Sequence, residues 1–287
     1  MSTATSTSPG DSDLQCMEVW GGNGSRENHF VRPGVDVWIT SQAVDCNLSG
    51  GSDLYLLSSC SSGRITRMMV AEVCGQLPHY TKLSYELREL MKQNINTIRQ
   101  ARFVSEISRR FAECSEHGCF ATTMISTFFS PTRTLSFCNT GNPPPLLFNS
   151  QQQDWSTLKQ VPKDLTITPE SWCMTNFEEY QNFETKLNVD DLALCFSNAI
   201  TECCDTQGRT IGMEGVFERV RKLDPTQPEQ LIATLTEQIK QEHPDNLAFD
   251  DTTILLCQGT MTTVPWKDNL LAPLRYFQGA TDKAKIE

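Results

Sequence analysis

Segments with the two-residue rhythm of β-strands and segments with the longer rhythm of helices are grouped in blocks along this chain. That grouping restricts the fold more than any other feature. CMEVW, VDVWIT, SDLYLLSSC and ITRMMVAEV read as strands, alternating or continuous in apolar residues and rich in Val, Ile and Tyr. From Pro78 to about Cys114 the texture changes. Leu83, Leu87, Leu90, Ile95, Ile98, Phe103, Ile107 and Phe111 recur at helical steps, predicting two helices whose apolar face packs into the core. FATTMISTFFSPTRTLSFCNTGNPPPLLF then reads as two strands around a Ser-Pro-Thr-Arg turn, a Gly/Pro-rich loop and a third strand. A polar loop at 149–157 precedes further strands, among them the buried run DLALCF. GRTIGMEGVFERVRKL and PEQLIATLTEQIKQEH read as helices, the second with Pro228 near its start, and FDDTTILLCQG closes as a strand. A repeating βαβ pattern is absent, so the expectation is an α+β fold with largely antiparallel sheets.

Residues 1–13, rich in Ser, Thr, Gly and Pro, are expected to be a disordered leader. Residues 14–260 are expected to form one domain, and 261–287 an appended C-terminal tail. With 24 Lys+Arg against 35 Asp+Glu the net charge is −11, which argues against nucleic acid or an anionic membrane surface as partner. No stretch approaches the run of about 20 apolar residues that a membrane helix needs. The 12 cysteines include no CxxC pair, and many sit inside apolar runs such as LALCF and ILLC, where a thiol packs as a small hydrophobe. The N-terminus carries neither a basic nor an apolar signal region. A reduced, cytoplasmic protein is expected. His79 and His117 stand without partners at ligand spacing, and Cys60 and Arg67 miss the Cys-x5-Arg phosphate cradle by one residue.

Acids stand where strands begin or end: Asp53 in GGSDLYLL, Glu72 in MMVAEVCGQ, Asp250 and Asp251 in AFDDTTILL. Each alone could be a turn former. Carboxylates delivered from separate strands to one sheet edge can also hold hard divalent cations, which polarise a phosphoryl group and activate water.

In order along the chain, GGSDLYLL, MMVAEVCGQ, CFATTMISTFF…LSFCNTGNPPPLLF, LNVDDLALCFSNAITECCDTQGRTIG and FDDTTILL resemble the motif series of the SpoIIE-like branch of the metal-dependent (PPM-type) protein phosphatases. The resemblance spans about residues 30–258. It implies an αββα sandwich, two antiparallel sheets flanked by helices. It also implies a site for two Mn²⁺ or Mg²⁺ ions and hydrolysis of phosphoserine or phosphothreonine on a protein substrate or regulatory protein.

Carried across residue by residue, the resemblance places the first metal aspartate at Asp53 if Gly51-Ser52 stand for the family's glycine pair, and at Ser52 if Gly50-Gly51 do. Keeping the following Asp-Leu-Tyr favours Asp53. The second acid falls at Glu72, one methylene longer than the usual aspartate, and Gly75 matches a glycine whose carbonyl completes the shell. The usual His-Gly becomes Gln76-Leu77, and the histidine of the Pro-rich loop becomes Asn142. The Thr-Asp-Gly turn becomes Ser197-Asn198-Ala199, so a carboxylate is replaced by an amide that offers only a carbonyl oxygen. Asp251 is the expected ligand on the last strand with Asp250 in support, and Thr201-Glu202 match the Thr-Glu that closes the metal turn. Three acids in place of four predict weakened binding, with Mn²⁺ the better occupant. Two functions follow: a metal-dependent serine/threonine phosphatase, or a pseudophosphatase that keeps the fold as a protein-binding regulatory module.

Overall fold

The computed structural model describes residues 17–44, 51–60, 63–74, 79–95, 97, 99–114, 120–158 and 182–264. Its strands are β1 (Met17–Gly22), β2 (Arg26–Arg32), β3 (Val35–Gln42), β4 (Asp53–Cys60), β5 (Ile65–Cys74), β6 (Phe120–Phe129), β7 (Thr134–Thr140), β8 (Leu146–Asn149), β9 (Asp154–Thr157), β10 (Asn182–Lys186), β11 (Leu192–Phe196) and β12 (Thr252–Gly259). Its helices are α1 (His79–Gln93), α2 (Gln100–Cys114), α3 (Ala199–Glu202), α4 (Gly212–Val220) and α5 (Pro228–Glu242). The strands form two six-stranded sheets in the orders β1-β4-β5-β6-β7-β10 and β2-β3-β12-β11-β8-β9. Every pairing between these strands is antiparallel.

Three apolar layers hold the molecule together, and strand alternation assigns each side chain to its layer. Leu54, Leu56, Met69, Ala71 and Val73 leave the outer face of the first sheet and pack on Leu83, Leu87, Met91, Phe103, Ile107 and Phe111 of α1 and α2. The intervening residues Tyr55, Leu57, Met68 and Val70 point the other way. They meet Val35, Val37, Ile39, Ala193, Cys195, Leu255 and Cys257 of the second sheet. Leu192, Leu194, Ile254 and Leu256 leave that sheet outward, against Val216 and Val220 of α4 and Leu231, Leu235 and Ile239 of α5. The fold is therefore α+β, an αββα sandwich. Strands covered on both faces carry near-continuous apolar runs: β4 is buried at every position but its last.

Two strands depart from the sequence expectation. The segment RENHFVR is polar enough to pass for a loop, yet it forms β2, an edge strand with one face in solvent. The stretch 149–157 is a hairpin rather than a loop: Asp154–Thr157 pairs with β8. Its turn is closed by the Asn149 side chain, which accepts the N–H groups of Gln151 and Gln152 at 3.0 and 2.8 Å. Among the described residues Cys74, Cys138, Cys195, Cys203, Cys204 and Cys257 are free thiols. No helix among the described residues is long and apolar enough to cross a membrane. The expected leader, most of the expected tail, Gly75, Gln76, Leu77 and His117 lie outside the described residues, as does the side chain of His79.

Candidate metal centre

The inter-sheet layer changes character at one end. On its first-sheet wall, Asp53 precedes Tyr55 and Leu57, and Glu72 follows Met68 and Val70 at two-residue steps. The β4–β5 register sets Asp53 directly opposite Glu72. On the second wall, Ser41 continues the row of Val37 and Ile39, Ser197 that of Ala193 and Cys195, and Thr253 that of Leu255 and Cys257. Carboxylates and hydroxyls thus replace aliphatic side chains where the two sheets end.

Asp53 is 2% exposed, and among the described residues neither of its carboxylate oxygens has a hydrogen-bond partner within bonding distance and angle. Burial, and then the charge of Glu72, push its carboxyl well above the ordinary range; the nearby Ser197 and Thr253 hydroxyls oppose the shift, and the charge of Asp251 adds to it. Both hydroxyls also have partners of their own. Ser197 Oγ accepts the Thr253 N–H at 3.0 Å, and the Ser41 and Thr253 hydroxyls share a bond at 3.1 Å. A buried carboxylate with so few donors is costly unless it is protonated or faces a cation.

Glu72 is half-buried and better served. Its Oε1 accepts the Cys74 thiol at 3.4 Å, and its Oε2 accepts Asn198 Nδ2 at 3.1 Å across the gap between the sheets. Burial, followed by the charges of Asp250 and Glu202, still raises its pKa. The amide at 198 therefore does what a carboxylate there could not: it donates to Glu72 with no cation between them.

The two aspartates ahead of β12 are engaged differently from expectation. Asp251 is 9% exposed and acts as a backbone clamp. Its Oδ1 accepts the Val44 N–H at 2.8 Å, and its Oδ2 accepts the Ser52 N–H at 2.5 Å and the Ser52 hydroxyl at 2.9 Å. Gly51 permits this approach, because a Cβ there would stand 2.1 Å from Asp251 Oδ2. Asp250 is exposed. Contact with the protein on one side, and then the charges of Glu202 and Asp251, raise its pKa. Asp250, not Asp251, is the one whose charge acts most strongly on Glu72. Glu202, exposed at the end of α3, bears on both Glu72 and Asp250.

The Pro-rich loop reaches the same end of the first sheet. Gly141 bridges to Thr123, which is paired with Ala71 beside Glu72. Asn139 fixes the loop by accepting the Asn142 N–H at 3.0 Å and donating to its carbonyl at 2.8 Å. The Asn142 side chain is 3% exposed with both amide atoms unpaired. Cys60 and Arg67 form no cradle: Cys60 ends β4, whereas Arg67 lies within β5, stacked 4.2 Å from Phe103 and donating to the carbonyls of Ile95 and Thr97 at 3.2 and 2.8 Å.

Among the described residues no three His, Cys, Asp or Glu side chains converge as a ready metal cage. What the fold does assemble is half of one. Asp53 and Glu72 form a carboxylate pair whose buried member lacks a well-formed hydrogen bond among the described residues, and hard oxygen ligands of this kind suit Mg²⁺ or Mn²⁺. Cys74 and Thr253 carry no motif signal in the sequence, and Ser197 stands there only as the first residue of the turn before Asn198. The two-residue step from Glu72 and from the inward rows of β11 and β12 would have found them.

Comparison with known proteins settles the family. Residues 66–259 match the family described as Stage II sporulation protein E (SpoIIE). The chain belongs to the SpoIIE family. Among solved structures this SpoIIE-family chain is similar to the RsbU and RsbW domains of a Mycobacterium tuberculosis protein, at 16% identity and a TM-score of 0.65 over 81% of this chain. That match spans 63% of the mycobacterial structure, which extends well beyond it. Similar also are the PP2C phosphatase domain and regulatory fragment of Bacillus subtilis SpoIIE, at 14% identity and a TM-score of 0.63 over 87% of this chain and 71% of the other. RsbX in complex with magnesium aligns at 12% identity and a TM-score of 0.57, over 82% of this chain and all of the other. At these identities the likeness speaks for the fold. A search of curated protein sequences gives no significant match.

Proposed function

We propose that this SpoIIE-family chain is a divalent-cation-dependent phosphoprotein phosphatase with a weakened metal centre, acting on phosphoserine or phosphothreonine of a protein substrate or regulatory partner. The single observation that carries the reading is Asp53: a buried carboxylate with no well-formed hydrogen bond among the described residues, set opposite Glu72 in a family whose structural neighbours include a phosphatase domain and a magnesium complex. Asp53 and Glu72 would hold the first cation, and the family resemblance assigns Gly75 to the same position. Asp250 serves the second position, helped weakly by the Asn198 carbonyl oxygen. A divalent ion bound there neutralises phosphoryl charge and acidifies water.

The chain's own residues do the rest. Asp251 clamps residues 44 and 52 and so fixes where β4 begins, which places Asp53. Asn198 and Cys74 hold Glu72 in one orientation. Asp250 and Glu202 add the negative field that concentrates cations at this end, and Asn142 stands in the loop beside it. Residues 14–260 form the functional unit, and the free thiols support a reducing, cytoplasmic setting.

Thermal midpoints in EDTA and in millimolar Mn²⁺, with turnover of p-nitrophenyl phosphate, test the reading. Wild type gains stability and turns over with Mn²⁺. Asp250→Ala loses both responses without losing stability in EDTA, whereas Asp251→Ala is destabilised in EDTA by about 2 kcal/mol as its backbone donors lose their acceptor. Absence of both stabilisation and turnover in wild type overturns the proposal. It would leave the second reading, a non-catalytic partner-binding module, which one observation favours: Glu72 is already satisfied by an amide where a carboxylate would call for a cation.

A further inference from the structure

The rim beside the acidic end carries two apolar side chains that the fold exposes. Phe249 is 78% exposed and adjoins Asp250 in the chain. Val44 is 42% exposed, and its own N–H is the group that Asp251 Oδ1 accepts. Because β3 and β12 pair with Gln42 opposite Thr252, the segments that continue from them, 43–44 and 250–251, run side by side.

The loop that presents Phe249 is locked. Asn246, 7% exposed, accepts the Cys204 N–H at 2.8 Å and donates to the carbonyls of Cys204 and Ile239 at 2.8 and 2.7 Å. Leu247 is held at a left-handed φ of 57° with its side chain in the outer core. A large aromatic in water beside a site for an anion contributes nothing to the core, and the anchored turn just before it lowers the entropy that contact would cost.

We infer that Phe249, with Val44, is a specificity-determining contact that selects phosphoprotein segments carrying an apolar residue next to the phosphorylated side chain. The inference rests on the phosphatase reading for the phosphorylated residue alone. It commits to an extended peptide as the occupant. The acidic groups take the phosphate through the cation while Phe249 takes the apolar neighbour.

The test uses two fluorescent peptides containing a non-hydrolysable phosphonate analogue of phosphoserine, one flanked by leucine and one by glycine. Each is titrated in Mn²⁺ with full-length wild type, Phe249→Ala and Phe249→Tyr, with p-nitrophenyl phosphate turnover and light scattering measured in parallel. Wild type is expected to bind the leucine-flanked peptide about tenfold more tightly. Phe249→Ala loses that preference without weakening the glycine-flanked peptide or slowing p-nitrophenyl phosphate, and Phe249→Tyr keeps most of it. Equal binding of both peptides by wild type, binding of neither, or an equal loss on both in Phe249→Ala overturns the inference. So does a wild-type dimer that Phe249→Ala dissolves, which would make the rim a self-association surface. A peptide preference without turnover sinks the phosphatase reading and leaves this one standing; turnover without preference does the reverse.

Discussion

Replacing Asn198 by aspartate restores the carboxylate that the family resemblance leads one to expect, and the structure predicts opposite consequences with and without metal. In the metal-free protein, Asn198 Nδ2 donates to Glu72 Oε2 at 3.1 Å. A hydrogen bond to a charged group contributes about 1.5–3 kcal/mol. The substitution removes it and sets two carboxylates face to face. Like charges about 4 Å apart repel by about 4 kcal/mol at an effective dielectric of about 20. Solvent around the half-buried Glu72, and proton uptake by the pair, absorb much of that. A net cost of about 2–4 kcal/mol remains, which for a domain of this size lowers the melting midpoint in EDTA by about 4–16 °C. With Mn²⁺ the added carboxylate becomes a ligand, and each tenfold gain in affinity returns about 1.4 kcal/mol under saturating metal. Differential scanning fluorimetry at neutral pH in EDTA and across a Mn²⁺ series reads both effects. A variant as stable as wild type in EDTA would refute the Asn198–Glu72 contact. An unchanged Mn²⁺ response would refute position 198 as a place where metal is held.

The same reasoning reaches other positions. Asp53 and Glu72 have folded pKa values raised above their unfolded ones, so the folded state holds more protons; their stabilising contribution is present below about pH 4 and is lost as pH rises through the raised values. The EDTA midpoint should therefore fall from mildly acidic toward neutral pH, and Asp53→Asn should flatten that slope, raise the neutral midpoint and abolish the Mn²⁺ shift; a steeper slope in the variant would count against the buried-charge account. Gly51→Ala forces a methyl into Asp251 Oδ2 and should cost about 2 kcal/mol or more by urea denaturation, together with weaker Mn²⁺ binding by calorimetry. Arg67→Met leaves the Ile95 and Thr97 carbonyls without their donor and should destabilise by about 2–3 kcal/mol with an unchanged Mn²⁺ affinity, showing that this buried guanidinium serves packing rather than phosphate.

Much of the architecture was legible because the pattern is local. The two-residue rhythm of SDLYLLSSC and ITRMMVAEV and the leucine spacing of α1 are statements about which faces are covered, and the three apolar layers follow from them. β2 escaped notice because an edge strand with one face in water needs few apolar residues. β9 did so because a four-residue strand after a polar turn carries too short a pattern. Asp53 and Glu72 were visible as acids at strand ends. Their being directly opposed is a matter of register, which the hairpin between β4 and β5 sets.

The sequence by itself determined the layered α+β fold, the family through ordered motifs, and the amide at 198, since chemical identity and periodicity are written residue by residue. Only the tertiary structure decided which carboxylates are free. Asp251 and Asp250 are neighbours of identical chemistry, yet one is consumed by the N–H groups of residues 44 and 52 while the other is left exposed, close enough to Glu72 and Glu202 for their charges to act on one another. That division depends on donors from distant segments, brought together by the packing of two sheets, and no local pattern encodes it.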